Sequence, residues 1–123
     1  MMQLVVKGQL PGLNEYTRAC RSNRYIGAQM KSDAEQLISL FIRNQHLEPV
    51  PGKVYVSFTW YEPNERRDPD NVAFAKKFIL DALVANGIIE GDSRKFIKGF
   101  KDQIETDNKK PRIVVEIMSA DEL

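Results

Sequence analysis

The chain has 123 residues, of which 42% are hydrophobic and 28% charged, and its formal net charge is +1. This length predicts one domain over residues 1–123, large enough to bury a core without disulfides or a structural metal. No apolar run reaches the roughly 18 residues of a membrane span, and we expect neither a transmembrane helix nor a secretory signal. Because Cys20 and His46 are the single residues of their types, the sequence excludes an intrachain disulfide and a zinc site built from cysteines or several histidines.

The basic residues are clustered along the chain. Taken alone, a net charge of +1 argues against a nucleic-acid-binding protein. However, residues 1–31, 66–77 and 92–112 are net positive, and the intervening segments and the tail are net negative. Local clusters attract a polyanion more than the total charge does, although solvated loops would give the same pattern.

The first half of the chain predicts a strand, a loop and a helix. Residues 2–8 are typical of a short strand, and residues 12–31, which lack a clear period, are predicted to form a long basic loop. The segment Ser32–Glu35 matches a capping box, so we expect a helix over residues 33–46.

The second half predicts strand, helix, strand and strand. Residues 54–61 show an alternating pattern that places large side chains on both faces, which indicates a central strand. Asp68 is expected to cap a helix over residues 69–86, with Gly87 as its terminator. Two further strands are predicted over residues 94–105 and 113–118. The predicted fold is therefore a compact α+β domain of β-α-β-α-β-β order, with a mixed sheet packed against two helices.

Two carboxylates one residue apart, Asp68 and Asp70, follow Arg66 and Arg67 at the start of the predicted helix. Such carboxylates repel each other unless a positive charge intervenes, and Mg²⁺ binds through one or two carboxylates together with substrate phosphate oxygens. The ion would polarise a phosphodiester, and the arginines would hold flanking phosphates. The alternative is a helix cap in which both aspartates pair with the arginines.

A lysine on the same helix adds to this pattern. Lys77 lies two turns after Asp70 and four residues before Asp81, on nearly the same face, whereas Lys76 points roughly 120° away. A lysine on the carboxylate face would neutralise charge that develops on a reacting phosphate. A surface salt bridge of little energetic value is the alternative.

These residues carry a resemblance to a known family, through Asn14-Glu15-Tyr16, Arg67 to Asn71, Lys77, Asp81-Ala82-Leu83, and Gly87-Ile88-Ile89 running to Asp92. The chain resembles the RusA family of Holliday junction resolvases, of the phage and prophage type. The resemblance implies a homodimer that cuts four-way DNA junctions with Mg²⁺ or Mn²⁺. It also implies that Asp68, Asp70 and Asp92 are the catalytic, metal-binding carboxylates and that Lys77 is the catalytic lysine.

Two departures from the family pattern leave alternatives open. The interval between Asn71 and Asp81 is about three residues longer than in the family, so that Lys76 stays a candidate for the catalytic lysine. Many members also carry two aspartates where this chain has Gly91 and Asp92, so that either Glu90 compensates or the site holds one carboxylate fewer.

The position of Asp92 raises a geometric question. A continuous helix over residues 69–86 would be about 27 Å long, whereas the five residues from Gly87 to Asp92 reach at most roughly 17 Å. Either the helix begins later and the acidic pair lies on a folded-back loop, or Asp92 joins Asp70 from the other subunit.

We therefore expect a homodimeric, Mg²⁺-dependent endodeoxyribonuclease that resolves four-way junctions in DNA recombination and repair, in the cytoplasm of a bacterial or phage-infected cell. Neither a membrane nor a small-molecule substrate is expected. The expected DNA contacts are Arg18, Arg21, Arg24, Lys31, Arg66, Arg67 and Lys76. The alternatives are another metal-dependent nuclease, acting on flaps or RNA, and a non-catalytic protein that only binds junctions.

Overall fold

A computed structural model describes residues 1–122 of the chain. The elements are β1 (Met2–Lys7), α1 (Leu13–Ser22), α2 (Arg24–Asn44), β2 (Val54–Glu62), α3 (Pro69–Ala73), α4 (Lys76–Ala85), β3 (Ile97–Thr106), β4 (Arg112–Ser119) and a final 3₁₀ turn (Ala120–Glu122). Over the same residues, no helix has both the length and the hydrophobicity that crossing a bilayer requires.

The four strands form one mixed sheet in the order β1-β4-β2-β3. Strand β4 is antiparallel to β1 and to β2, whereas β3 is parallel to β2. Parallel neighbours need a long crossover connection, which α3 and α4 provide here. The predictions of a compact α+β domain, a mixed sheet and a central position for β2 are confirmed.

Strand β2 supplies the centre of the core. Its alternate residues are buried, beginning at Val54 and including Phe58 and Trp60, whose rings stack with centroids 5.5 Å apart. The alternation continues to the last residue of the strand, Glu62, so that a carboxylate also points to the buried side. Buried carboxylates need a charged or hydrogen-bonding partner, and the partner of Glu62 lies in the candidate site.

The prediction of a loop over residues 12–31 is wrong, because α1 and the first turns of α2 occupy this segment. The two helices approach each other through small residues, with Ala19 and Gly27 buried. A Cβ atom on Gly27 would lie only 2.5 Å from Sγ of Cys20. Most residues of α1 are polar or charged, so the sequence offered few large apolar residues to indicate this helix.

The predicted start of the next helix is also wrong. Helix α2 begins at Arg24, and the side chain of Asn23 caps it by accepting a hydrogen bond from the backbone N–H of Tyr25 at 2.7 Å. Ser32 therefore lies inside α2 rather than at its N-terminus. The observed order is β-α-α-β-α-α-β-β, with four helices in place of the predicted two.

The predicted continuous helix over residues 69–86 is interrupted between Ala73 and Lys76. It begins at Pro69 as predicted, but the side chain of Asp68 makes no capping hydrogen bond. At the interruption, the N–H groups of Lys77 and Phe78 bond to carbonyls three residues earlier, which is the tighter spacing of a 3₁₀ turn.

Aromatic packing accompanies this interruption. The ring of Phe74 lies 5.5 Å from that of Tyr16 in α1 and 5.6 Å from that of Phe78. The aromatic contacts dock α1 against the junction of α3 and α4. Gly87, with φ +72°, follows α4 in the terminating role that the sequence predicted.

Candidate active site

The acidic pair lies at the start of α3, directly after the loop that follows β2. Asp68 and Asp70 are both exposed, and Oδ1 of Asp70 accepts a hydrogen bond from the N–H of Asn71 at 3.0 Å. Within residues 1–122, neither aspartate forms an ion pair. The alternative in which the two aspartates pair with the neighbouring arginines is therefore wrong, because Arg67 turns instead towards Glu62, with Nε 2.8 Å from Oε1.

Asn71, the residue after the acidic pair, is buried and contacts α1. Its Oδ1 accepts a hydrogen bond from the backbone N–H of Asn14 at 2.8 Å. Gly12, at the N-cap position of α1, has no side chain to make such a bond. A Cβ atom on Gly12 would lie 2.5 Å from Oδ1 of Asn71, so the close approach requires glycine. Asn71 thus caps α1 from another element and fixes that helix beside the acidic pair.

Lys77 and two aspartates form a charged cluster at the first turn of α4. The Nζ atom of Lys77 lies 3.1 Å from Oδ1 of Asp81 and 3.1 Å from Oδ2 of Asp92. Hydrogen bonds to Asp81 and then to Asp92 raise the pKa of Lys77, and Lys77 in turn lowers the pKa of Asp92. The predicted i,i+4 pair is confirmed, and Lys77 is fully charged at neutral pH.

Asp81 also contacts a second lysine. The Nζ atom of Lys31, on α2, lies 3.6 Å from Oδ2 of Asp81. The Asp81 side chain is only 20% exposed. Its carboxylate connects Lys31 and Lys77, which come from different helices and are both more exposed than Asp81. Lys31, expected to contact DNA, is thereby brought to the cluster that contains Lys77.

Lys76 lies in different surroundings from Lys77. Its ammonium bonds to Asp102 in the middle of β3 and lies 5.5 Å and 4.7 Å from the ring centroids of Phe58 and Phe100. Trp60 donates a hydrogen bond from Nε1 to the same Asp102 carboxylate at 3.0 Å. Lys76 thus attaches α4 to the sheet, in agreement with its predicted direction away from the face of Lys77.

The other residues predicted to contact DNA differ in how exposed they are to solvent. Arg18, Arg21 and Arg24 are exposed on the α1–α2 helical pair, and Arg66 is exposed in the loop after β2. Arg67 is only 18% exposed, because its guanidinium bonds to other parts of the protein. The exposed arginines are available to a ligand, whereas Arg67 is not in this arrangement.

The structure brings Asp92 back to the first turn of α4 but not into a group with Asp68 and Asp70. In the described part of the chain, no three His, Cys, Asp or Glu side chains are placed so that they could hold a metal ion. The donor chemistry of the acidic pair nevertheless suits Mg²⁺, which needs only one or two protein carboxylates. Whether Asp92 acts with its own acidic pair or with that of a second subunit stays a prediction.

Glu62 is a site residue that the sequence analysis missed. The signal was present, because the alternation over β2 places Glu62 on the same face as Trp60, and a carboxylate on a buried face requires a cation. Gly12 gave no such signal, because its role depends on Asn71 in another element. Comparisons with models of known protein families and with curated proteins found no match for this chain.

Proposed function

We propose that this chain is a homodimeric, Mg²⁺-dependent endodeoxyribonuclease that resolves four-way DNA junctions, as its resemblance to the RusA family implies. One observation carries the proposal: the ammonium of Lys77 lies 3.1 Å from the carboxylate of Asp92. The resemblance assigns these two residues to one site, although they are distant in the sequence. Their contact supports that assignment and favours Lys77 over Lys76 as the catalytic lysine.

Each residue of the proposed site has a distinct chemical role. Asp68 and Asp70 would hold Mg²⁺, with Asp92 of the same or a second chain as the third carboxylate that the resemblance implies. The ion would supply Lewis-acid polarisation of the phosphodiester and a water of lowered pKa. Lys77 supplies a fixed positive charge for the developing charge of the reacting phosphate. Asp81 orients Lys77 through their 3.1 Å contact, so the lysine is held in place before the substrate arrives.

Charge and symmetry agree with the substrate class that the resemblance implies. Arg18, Arg21, Arg24 and Arg66 are exposed and would contact phosphates, which gives binding that depends on shape and salt rather than on base sequence. A four-way junction has approximate two-fold symmetry and two strands to cut. A dimer with C₂ symmetry presents two equivalent sites to it.

Cleavage of a synthetic four-way junction tests the proposal. We expect paired cuts with Mg²⁺ and none with EDTA, and weaker or no cutting of a duplex, a flap or an RNA hairpin of the same length. Preference for the flap or the RNA would favour a different nuclease. Tight junction binding without cleavage in any metal would favour a non-catalytic binding protein.

The acidic pair gives a matched set of variants. Asp70→Asn is expected to abolish cutting but to preserve or tighten junction binding, because it removes negative charge that faces phosphate. Asp33→Asn is the control, since Asp33 is an exposed residue of α2 whose carboxylate accepts a hydrogen bond from Gln29 at 2.7 Å. Normal cutting by Asp70→Asn would refute the metal site.

Mixed dimers test whether the two subunits share a site. In a dimer of one Asp70→Asn chain and one Asp92→Asn chain, a shared arrangement leaves one site with both residues intact. We then expect nicking of one strand to return. If each site is built within one chain, both sites are defective and mixing restores no activity.

A further inference from the structure

Arg67, the residue before the acidic pair, is held by three parts of the protein. Its Nε and Nη2 atoms donate to the two carboxylate oxygens of Glu62, both at 2.8 Å, which is a bidentate pair. Its Nη1 donates to the carbonyl oxygen of Leu10 at 3.0 Å and to Oε1 of Glu15 at 3.1 Å. The guanidinium therefore links the end of β2, the connection before α1, and α1 itself.

Arg66 offers a direct comparison, because it is the adjacent residue with the same charge. Its side chain is exposed, and within residues 1–122 its guanidinium makes no hydrogen bond or ion pair. Only its backbone N–H is engaged, with Oδ1 of Asn64 at 3.0 Å. Two neighbouring arginines thus occupy opposite environments, one open to solvent and one satisfied inside the protein.

The burial of Glu62 decides how freely Arg67 can move. The Glu62 side chain is only 7% exposed, and its other hydrogen bond comes from Nε2 of Gln9 at 3.1 Å. If Arg67 turned outwards to a phosphate, it would leave a buried carboxylate without its cation, which is strongly unfavourable. Removing the guanidinium from this carboxylate is therefore more costly than moving an exposed side chain.

We infer that Arg67 is a positioning residue that holds the segment of Asp68 and Asp70 in place, and that it does not contact DNA phosphate. This inference rests on the proposed function and revises one expected DNA contact. Asn71 holds the other end of the same segment through its bond to Asn14. The acidic pair is exposed, yet residues fixed by distant parts of the chain flank it on both sides.

The salt dependence of junction binding separates a positioning residue from a phosphate contact. In EDTA, Arg66→Gln is expected to make the negative slope of log K against log salt shallower by about 0.9, the value for one lost phosphate contact. Arg67→Gln is expected to leave the slope unchanged. A slope that becomes shallower by about 0.9 in Arg67→Gln, and returns to its original value in Arg67→Lys, would overturn the inference.

Arg67→Lys is the second discriminating variant, because it keeps the charge but loses the two-pronged geometry. If Arg67 is a positioning residue, lysine does not restore its function. The cleavage rate at saturating junction then falls, while the dissociation constant of the junction complex stays the same. As a phosphate contact, lysine largely replaces arginine, and both constants stay near those of the unmodified protein. The second pattern would contradict the inference.

Amide hydrogen exchange tests the inference without DNA or metal. In Arg67→Lys we expect the amides of residues 63–72 to exchange at least about tenfold faster, while those of β2 and β4 are unchanged. Arg66→Lys should leave the exchange of all these amides unchanged. Unaltered exchange over residues 63–72 in Arg67→Lys would overturn the positioning role.

A double-mutant cycle in thermal unfolding covers the case in which a variant is too unstable for the other assays. Arg67→Gln and Glu62→Gln should each lower the melting temperature, and the double variant should lose clearly less than the sum of the two shifts. Additive shifts would contradict the ion pair on which the inference depends. If the unmodified protein does not cut junctions, the proposed function fails, whereas exchange and unfolding still decide the role of Arg67.

Discussion

The Nζ atom of Lys77 lies 3.1 Å from Oδ2 of Asp92, although fifteen residues separate the two in the sequence. The contact exists because the chain turns back along α4 after Gly87 and returns to the first turn of that helix. The adjacent Lys76 bonds instead to Asp102 on β3. Two consecutive lysines therefore serve different parts of the molecule, one at the candidate site and one in the attachment of α4 to the sheet.

The two lysines are expected to respond differently to the same substitution. In the proposed mechanism, Lys77 directs a positive charge at the reacting phosphate, so Lys77→Gln should lower the cleavage rate by about 100-fold or more. Lys76→Gln should lower the free energy of unfolding by about 1–2 kcal/mol, because it breaks a half-buried ion pair and two cation–π contacts. Single-turnover cleavage and urea unfolding measure the two effects. The reverse pattern would assign the catalytic role to Lys76.

Gly12→Ala tests the contact between α1 and α3. The added Cβ would lie 2.5 Å from Oδ1 and 2.9 Å from the backbone oxygen of Asn71, so one of the two segments must shift. We expect a loss of about 1–3 kcal/mol in urea unfolding. Asn71→Ala should also destabilise, and the double variant should lose less than the sum, because both changes disrupt one contact. Equal stability of Gly12→Ala and the unmodified protein would refute this close approach.

Gly27→Ala tests the packing of α1 on α2. Alanine inside a helix is normally more favourable than glycine by about 1 kcal/mol. Here we expect a net destabilisation of about 1–2 kcal/mol, because the new Cβ would lie 2.5 Å from Sγ of Cys20. The same change in a Cys20→Ala background should cost less, since the sulfur is gone. Stabilisation by Gly27→Ala in the unmodified protein would show that the helices are further apart.

The turn between β3 and β4 predicts a pH dependence of stability. The N–H of Lys110, then Arg112, then the N–H of Lys109 lower the pKa of Asp107 below its ordinary value of 3.8. A carboxyl group whose pKa is lower in the folded than in the unfolded state stabilises the fold at pH values above its ordinary pKa. This stabilisation is lost as the pH falls through the pKa of the folded state. Asp107→Asn should therefore be less stable at pH 7, by a difference that shrinks below about pH 4. Melting temperatures of both proteins from pH 7 to pH 2 measure this difference, and one that is constant over the range would contradict the assignment.

Local patterns predicted the parts of the fold that depend on nearby residues. The alternation over residues 54–61 indicated the central strand β2, the i,i+4 spacing identified the pair of Lys77 with Asp81, and Gly87 marked the end of α4. Helix α1 and the first turns of α2 were missed, because α1 has few large apolar residues and the two helices meet through the small residues Ala19 and Gly27. Small residues permit a close approach between helices, but hydrophobic periodicity does not register them.

The sequence by itself identified four charged residues of the candidate site, namely two carboxylates one residue apart, a later lysine and a later aspartate, but not Glu62. Only the tertiary structure decided which partner each charged side chain takes. Arg66 and Arg67 are equivalent in the sequence, yet one is exposed and the other is bonded to Glu62, Glu15 and Leu10. The physical reason is that periodicity records which face of an element is apolar, whereas the partner of a charge comes from segments that meet only when the chain folds.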